Sequence, residues 1–228
     1  AKNIGFENIQ LGAHNTTIEP HEGGFKISWS TETETFVVTS KKVITTVPAP
    51  SIEKLLPFID NNLTKPITDL TYAKVVQVVL GFKEWDGREL NAFGGLIPKL
   101  EQRKVLGILF PSSIFKNRAP ESGALLSVFM GGMRHPDIIE QSDEHLLTLA
   151  KNTVNETLKA NNEPALAHVF RYKHAIPQYT ETTPERIKAI ESIELKYPGL
   201  ILAGNIRDGI GMADRVKQAV DLSKKLTS

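Results

Sequence analysis

The residues best suited to chemistry lie near the end of the chain, in "LILAGNIRDGIGMADRVKQAVDLSKKL". Leu200 to Ala203 read as a short buried strand. Gly204-Asn205 ends that run, and Gly209 and Gly211 bracket a tight turn around Ile210. Val216, Ala219, Val220 and Leu226 then recur at helical spacing, which predicts a helix from Met212 to Leu226. Glycine allows a backbone to approach a ligand closely. The first amides of a helix lack internal acceptors and sit at the positive end of its dipole. Anionic or carbonyl-like ligand atoms suit such a place, although the same glycines equally suit an ordinary short loop. The unit is no dinucleotide fingerprint, because "GNIRDGIG" contains no GxGxxG. A side chain at Gly211 is expected either to force the turn open or to fill space that a ligand needs.

A second cluster of donors is "RYKHAIPQYT". In a strand, Arg171, Lys173 and Ala175 share one face and Tyr172, His174 and Ile176 the other. The basic face could meet an anionic substrate, or simply be the solvated side of an edge strand. Arg118 in "FKNRAPESG" poses the same choice between a positive rim and a polar turn. The histidines at 14, 21, 135, 145, 168 and 174 form no HxxxH or HExxH pair, so no metal site is expected. No GxSxG elbow or paired-carboxylate signature stands out either.

Composition narrows the classes further. A length of 228 residues, with 40% hydrophobic and 23% charged residues, suits one large or two small globular domains. The net charge of +1, with Lys and Arg scattered, argues against nucleic-acid binding. The absence of cysteine excludes thiol chemistry and thiolate metal ligation. The longest apolar tracts, "VVQVVLGF" and "ALLSVFMGGM", are too short to span a bilayer, and "AKNIGFENIQLG" has no apolar signal region. Peripheral contact with a membrane stays open.

The elements that must position these residues are legible as patterns. "HEGGFKISWS", "TFVVTS" and "KKVITTVPAP" read as early strands, the last giving way to a helical pattern at Ile52, Leu55, Leu56 and Ile59. Strands are expected near residues 71–82, 104–110, 124–131 and 166–174, the last broken by Pro177. A helix from Ser142 to Lys159 should pack on that sheet through Leu146, Ala150 and Val154. "TPERIKAIESIELKY" reads as a further helix capped by Thr183, with Pro184 in its first turn. The expected class is α+β, with early strands over 1–50, a central sheet-and-helix body over 51–176 and a closing helix, strand and helix over 177–228.

In this order, "KVITTVPAP", "AFGGLIPKLEQRKVLGILFPSSIFKNRAPESGALLSVFMGGMRHPDI", "YKHAIPQY" and "YPGLILAGNIRDGIGMAD" resemble the carboxy-terminal half of the FAD-dependent protoporphyrinogen oxidases, within the flavin amine oxidase-like superfamily. The resemblance implies a mixed-sheet substrate-binding domain over 51–176, flanked by remnants of a Rossmann-like FAD-binding domain. It implies that Gly204, Asn205, Gly209, Ile210, Gly211 and Met212 border the isoalloxazine, with Val47 and Pro48 near the ring system. A full-length relative would oxidise protoporphyrinogen IX to protoporphyrin IX in haem biosynthesis, passing hydride equivalents to FAD and then to oxygen. Arg118, Arg171 or Lys173 would receive the propionates of this tetrapyrrole, although no family motif carries those three assignments. The GxGxxG segment is missing from the pattern, so the chain is expected to be part of a longer parent that binds FAD, and to be inactive and unable to retain FAD alone. A natural short homologue is the alternative on that point. A fragment of another flavin amine oxidase-like enzyme, or a non-catalytic module acting with a separate FAD-binding chain, are the rival functions. A cytoplasmic location is expected, with membrane-peripheral contact and homo-oligomer formation open.

Overall fold

The computed structural model describes residues 3–227. In chain order the elements are β1 (His14–His21), β2 (Gly24–Ser30), β3 (Thr35–Ser40), β4 (Val43–Thr45), α1 (Ile52–Leu55), α2 (Asn61–Thr68) and β5 (Tyr72–Phe82). Then come β6 (Gly94–Leu96), β7 (Val105–Leu109), α3 (Pro111–Ile114), β8 (Ala124–Gly131), α4 (Asp143–Leu158) and β9 (Leu166–Pro177). The chain closes with α5 (Thr183–Lys196), β10 (Leu200–Leu202) and α6 (Met212–Thr227). The fold is mixed α+β, and it divides into two compact units, residues 1–71 with 177–228, and residues 72–176. The sequence reading began the central body at residue 51. Residues 51–71 instead belong with the discontinuous unit, because α2 packs against α5.

In the discontinuous unit, β1, β2 and β3 form an antiparallel meander whose first turn places Gly23 at φ +78°, a conformation open to glycine. Phe25 on β2 is buried while its neighbour Lys26 pairs with Glu19 across the sheet. β4 and β10 pair in parallel, Val43 with Leu200 and Thr45 with Leu202. Thr183 is the first residue of α5 rather than its cap; Thr182 holds the cap position without a side-chain capping bond, and its hydroxyl meets that of Thr180 instead. The helix α2, with Pro66 inside it, had no counterpart in the sequence reading.

The second unit is a five-stranded sheet in the order β6-β7-β8-β5-β9, with β8 as its middle strand. Alternation on β5 sends Val76, Val78, Leu80 and Phe82 to one face, where they meet Leu126, Val128 and Met130 of β8. On that face α4 lays down Leu146, Ala150 and Val154, all buried, at the i, i+4, i+8 spacing of an amphipathic helix. The Ser142 hydroxyl caps α4 by accepting from His145 N at 3.2 Å, and Lys159 ends it in the left-handed conformation. "FGGLIP" supplies the additional strand β6, and β9 runs as far as Pro177 before it ends.

Candidate functional site

Parallel strands β4 and β10 end together, and the loop that follows β10 is built against the end of β4. Ala203 N donates to Thr45 O at 2.8 Å. Gly204 follows at φ +89°, and a Cβ there would lie 3.1 Å from Thr46 O. The backbone that leads into Val47 and Pro48 is therefore in van der Waals contact with the backbone that leads into Asn205. Pro48, at φ −65° and ψ 152°, turns the chain away into the buried Ala49. The carboxyl ends of parallel strands are where open α/β sheets receive ligands.

The loop from Gly204 to Gly211 is organised through its carbonyls. Arg215, from the first turn of α6, donates to the carbonyls of Gly204, Arg207 (2.9 Å), Asp208 (3.0 Å) and Gly209 (2.8 Å). The Tyr179 hydroxyl donates to Asn205 O at 2.9 Å and lies 3.1 Å from Gly209 O. Arg186, fully buried, donates from Nε to Ile206 O at 2.8 Å and stacks its guanidinium on the Tyr179 ring at 4.6 Å. Every carbonyl from Gly204 to Gly209 is thus turned toward a donor on a side chain. Gln218 joins the loop to α6, accepting from Gly204 N at 2.9 Å and donating to Asp208 Oδ2 at 2.8 Å. Burial of the Tyr179 phenol pushes its pKa above the ordinary tyrosine value, against the opposing pull of the Arg186 and Arg215 charges.

Of the two turn glycines, only Gly209 is demanded by the backbone. It sits at φ +95°, and a Cβ there would fall 2.3 Å from Asp214 Oδ2. Gly211 lies outside the left-handed region, and its Cβ would meet only the end of the Asp214 side chain, at 3.1 Å. The expectation that a side chain at 211 forces the turn open is corrected accordingly. Gly211 caps α6 with its carbonyl, accepting from Arg215 N at 3.1 Å, while Asp214 accepts from Gly211 N at 2.9 Å. Ile210 and Met212 beside them project outward, the methionine strongly exposed.

Of the three cations expected to meet propionates, Arg171 and Lys173 stand two residues apart on β9, and Arg118 lies in a separate loop. Arg171 is committed to its own unit, donating to Ile139 O (2.9 Å), Gln141 O (2.5 Å) and Asp143 Oδ1 (2.5 Å), so it fastens the segment that leads into α4. Three of its five N–H groups are thereby engaged, one of them with a carboxylate of its own chain. Arg118 stands over the Phe115 ring at 5.7 Å in the loop before β8, whereas the Arg171 contacts follow the opposite end of β8. Lys173 is exposed on β9. His174 meets the Tyr72 ring edge-on at 5.3 Å, and among the described residues no three His, Cys, Asp or Glu side chains converge as a metal site.

The face of the five-stranded sheet opposite α4 has a different character. Register aligns Leu96, Gly107, Phe129 and Gln77 across four strands, and Gly94, Leu109, Ser127 and Val79 in the next row. Gly81 abuts Leu166, so Phe170 and Tyr172 continue this face on β9; both are 45% exposed. Glycines at 81 and 107 keep the floor low among leucine and aromatic side chains. Across its middle runs a polar chain: Tyr172 Oη donates to Gln77 Oε1 at 3.3 Å, and Gln77 Nε2 donates to Ser127 Oγ at 3.1 Å.

Arg186 and Arg215, which hold the glycine loop, carry no expectation from the sequence, and Tyr179 enters there only as one donor of "RYKHAIPQYT", with no tie to the loop. The spacing of Arg215 four residues beyond Gly211 was the available signal for one of them.

Comparison with known proteins follows the same segments. The chain is 26% identical over 231 residues to protoporphyrinogen oxidase 2, chloroplastic/mitochondrial, of Arabidopsis thaliana, covering 94% of this chain and 45% of that protein. It is 26% identical over 146 residues to coproporphyrinogen III oxidase of Bacillus subtilis (strain 168), covering 63% of this chain and 31% of that protein. The chain therefore spans less than half the length of these curated relatives. Its fold matches a crystal structure from Exiguobacterium sp. 255-15 with a TM-score of 0.74 at 20% identity, over 94% of this chain and 46% of the other. The family described as flavin containing amine oxidoreductase matches residues 2–215, a span that takes in both strand ends, the carbonyl-clamped loop and the open sheet face, and the chain belongs to that family.

Proposed function

We propose that the chain is part of an FAD-dependent oxidase that converts protoporphyrinogen IX to protoporphyrin IX, in which the 204–212 loop borders the flavin and the open sheet face borders the tetrapyrrole. The observation that carries this reading is the capture of every carbonyl from Gly204 to Gly209 by Arg215, Tyr179 and Arg186. A loop whose electron-rich groups are all withdrawn to one side suits an electron-rich ligand edge on the other. The neighbouring amides of Met212 and Ala213 open α6 and have no acceptor within the helix.

These residues fit the flavin that the family name implies. FAD, when bound, supplies the hydride acceptor for the reaction. Gly204, Asn205, Val47 and Pro48 would give it a surface of close backbone approach, and the start of α6 would place positive dipole against its oxygen-bearing edge. Gly209 keeps that turn free of a side chain. Asp214 already occupies Gly211 N, so Met212 and Ala213 are the amides assigned to the ligand. The aromatic and leucine side chains around Gln77 would exclude water from a flat apolar ring. Arg118, with its planar fork, is the cation assigned to a propionate, because Lys173 shares the face of Arg171 on β9 rather than that of Tyr172.

The test is co-expression of the chain with a GxGxxG-bearing amino-terminal segment from a relative. The purified pair should retain flavin and turn non-fluorescent protoporphyrinogen IX into fluorescent porphyrin. A flavin-retaining pair that oxidises an amine and leaves the porphyrinogen untouched would overturn the reading. Alone, the chain should emerge colourless from desalting after incubation with excess FAD. A second reading, with coproporphyrinogen III as substrate, is favoured by the Bacillus subtilis relative. Offering both porphyrinogens to the same preparation separates the two.

A further inference from the structure

The polar chain on the open sheet face has no structural need to be there. Its neighbours across the strands are Phe129 opposite Gln77, and Leu109 and Val79 opposite Ser127. A leucine or valine at 77 would continue the apolar pattern of β5 at no desolvation cost, whereas a glutamine amide among such neighbours must find partners. It finds them on both sides, in Tyr172 of β9 and Ser127 of β8. Three strands thus hold one amide in place, with Oε1 accepting from the phenol and Nε2 donating to the serine.

After those two bonds the group still has hydrogen-bonding capacity, and the balance has a sign. Two lone pairs on Tyr172 Oη, one on Gln77 Oε1 and one on Ser127 Oγ are uncommitted by these bonds, against one N–H of Gln77 and the serine O–H. Acceptors outnumber donors. Tyr172 is 45% exposed and Gln77 is half-buried, so a molecule lying on the face can reach them. The complement of such a patch is a broad apolar molecule that presents N–H donors near its centre and no acceptor there.

We propose that Gln77, held by Tyr172 and Ser127, is the specificity-determining residue that reads the pyrrole N–H groups of a reduced tetrapyrrole. This rests on the reading of the sheet face as the substrate wall. In a porphyrinogen every ring nitrogen carries hydrogen, whereas in a porphyrin half of them are bare acceptors. The patch therefore prefers the reduced ring over the oxidised one, and favours loss of the product once half of its N–H groups have become acceptors. Gln77 has no part in moving hydride.

The experiment uses this chain as it stands, under anaerobic conditions, with protoporphyrinogen IX and protoporphyrin IX as the two probes. Binding of each is followed by quenching of the tryptophan fluorescence. The wild-type chain should bind the reduced ring about fivefold more tightly or better, the equivalent of one net hydrogen bond. Gln77→Leu should bring that ratio close to unity while leaving the affinity for the oxidised ring within about twofold. Tyr172→Phe, which frees the amide but keeps it, should give an intermediate ratio. A ratio unchanged in Gln77→Leu would overturn the role of the glutamine and leave the substrate-wall reading standing. Failure of the wild type to bind either ring would sink that reading and this inference together.

Discussion

Arg215→Met is the perturbation that most directly examines the clamped loop. The guanidinium serves the carbonyls of Gly204, Arg207, Asp208 and Gly209. At a net of about 1 kcal/mol for each hydrogen bond, the four contribute about 4 kcal/mol. Two corrections reduce the sum. Arg215 Nε is buried without a partner among the described residues, and removing it returns about 1 kcal/mol. Asp208 O is exposed and will be rewetted, so its bond is worth less than the mean. The expected loss is about 2–3 kcal/mol, a large share of the stability of a unit this size. Arg215→Lys should lose about half as much, because a single ammonium cannot span all four carbonyls. Urea unfolding gives the total, and native-state hydrogen exchange localises it, with the amides of 204–211 expected to exchange faster than those of β10. An Arg215→Met chain within about 0.5 kcal/mol of the wild type, with unchanged exchange across the loop, would refute the clamp.

The other expectations follow from single contacts. Gly209→Ala should lower the melting temperature by the equivalent of about 1–3 kcal/mol, from positive φ and the Asp214 clash, whereas Gly211→Ala should be close to neutral; paired thermal scans decide. Tyr179 has a raised pKa, so its contribution is intact below the ordinary tyrosine value near pH 10 and is lost as pH rises through the folded value; Tyr179→Phe should flatten that alkaline decline in a series of unfolding curves. Arg171→Met should destabilise the sheet unit by about 2–4 kcal/mol, from bonds to two carbonyls and a carboxylate, without changing affinity for a carboxylated porphyrin. Ser142→Ala should cost about 1 kcal/mol through loss of the α4 cap, read by the same unfolding assay.

What could be read from the residues alone follows the range over which each signal acts. The strands β5, β7 and β8 and the helix α4 announce themselves because β-branched runs and an i, i+4 stripe are local patterns. The runs 43–45 and 200–202 were legible as short apolar strands, and the structure pairs them in parallel, with Gly204 against Thr46. Arg171 shows where local reading fails. Its alternation with Tyr172 was legible, but the carbonyls of Ile139 and Gln141 that consume its donors lie in a distant loop with no pattern of its own. The same holds for Arg186, which looks in sequence like a solvated helix charge and is in fact buried beneath Ile206 O. The central boundary lies at 71 rather than 51 because α1 and α2 are short and α2 carries Pro66, so the packing of α2 on α5 could not be inferred from spacing.

The discontinuity of the first unit has a consequence for how the chain folds. β4 cannot pair with β10 until the whole of 72–176 has been made, and closing so long a loop is slow and entropically unfavourable. The inserted unit has its own core, and the rings of Tyr72 and His174 near its two ends lie 5.3 Å apart. Once that unit folds, the loop between Thr45 and Leu200 shortens from roughly 150 residues to an effective length of roughly 50, which lowers the closure entropy by about 1 kcal/mol on the logarithmic loop law. The sheet unit then acts as a clasp that delivers the second segment to the first. Substitutions in its core, such as Leu126→Ala, should therefore slow the docking of β10 and the maturation of the glycine loop although they touch neither.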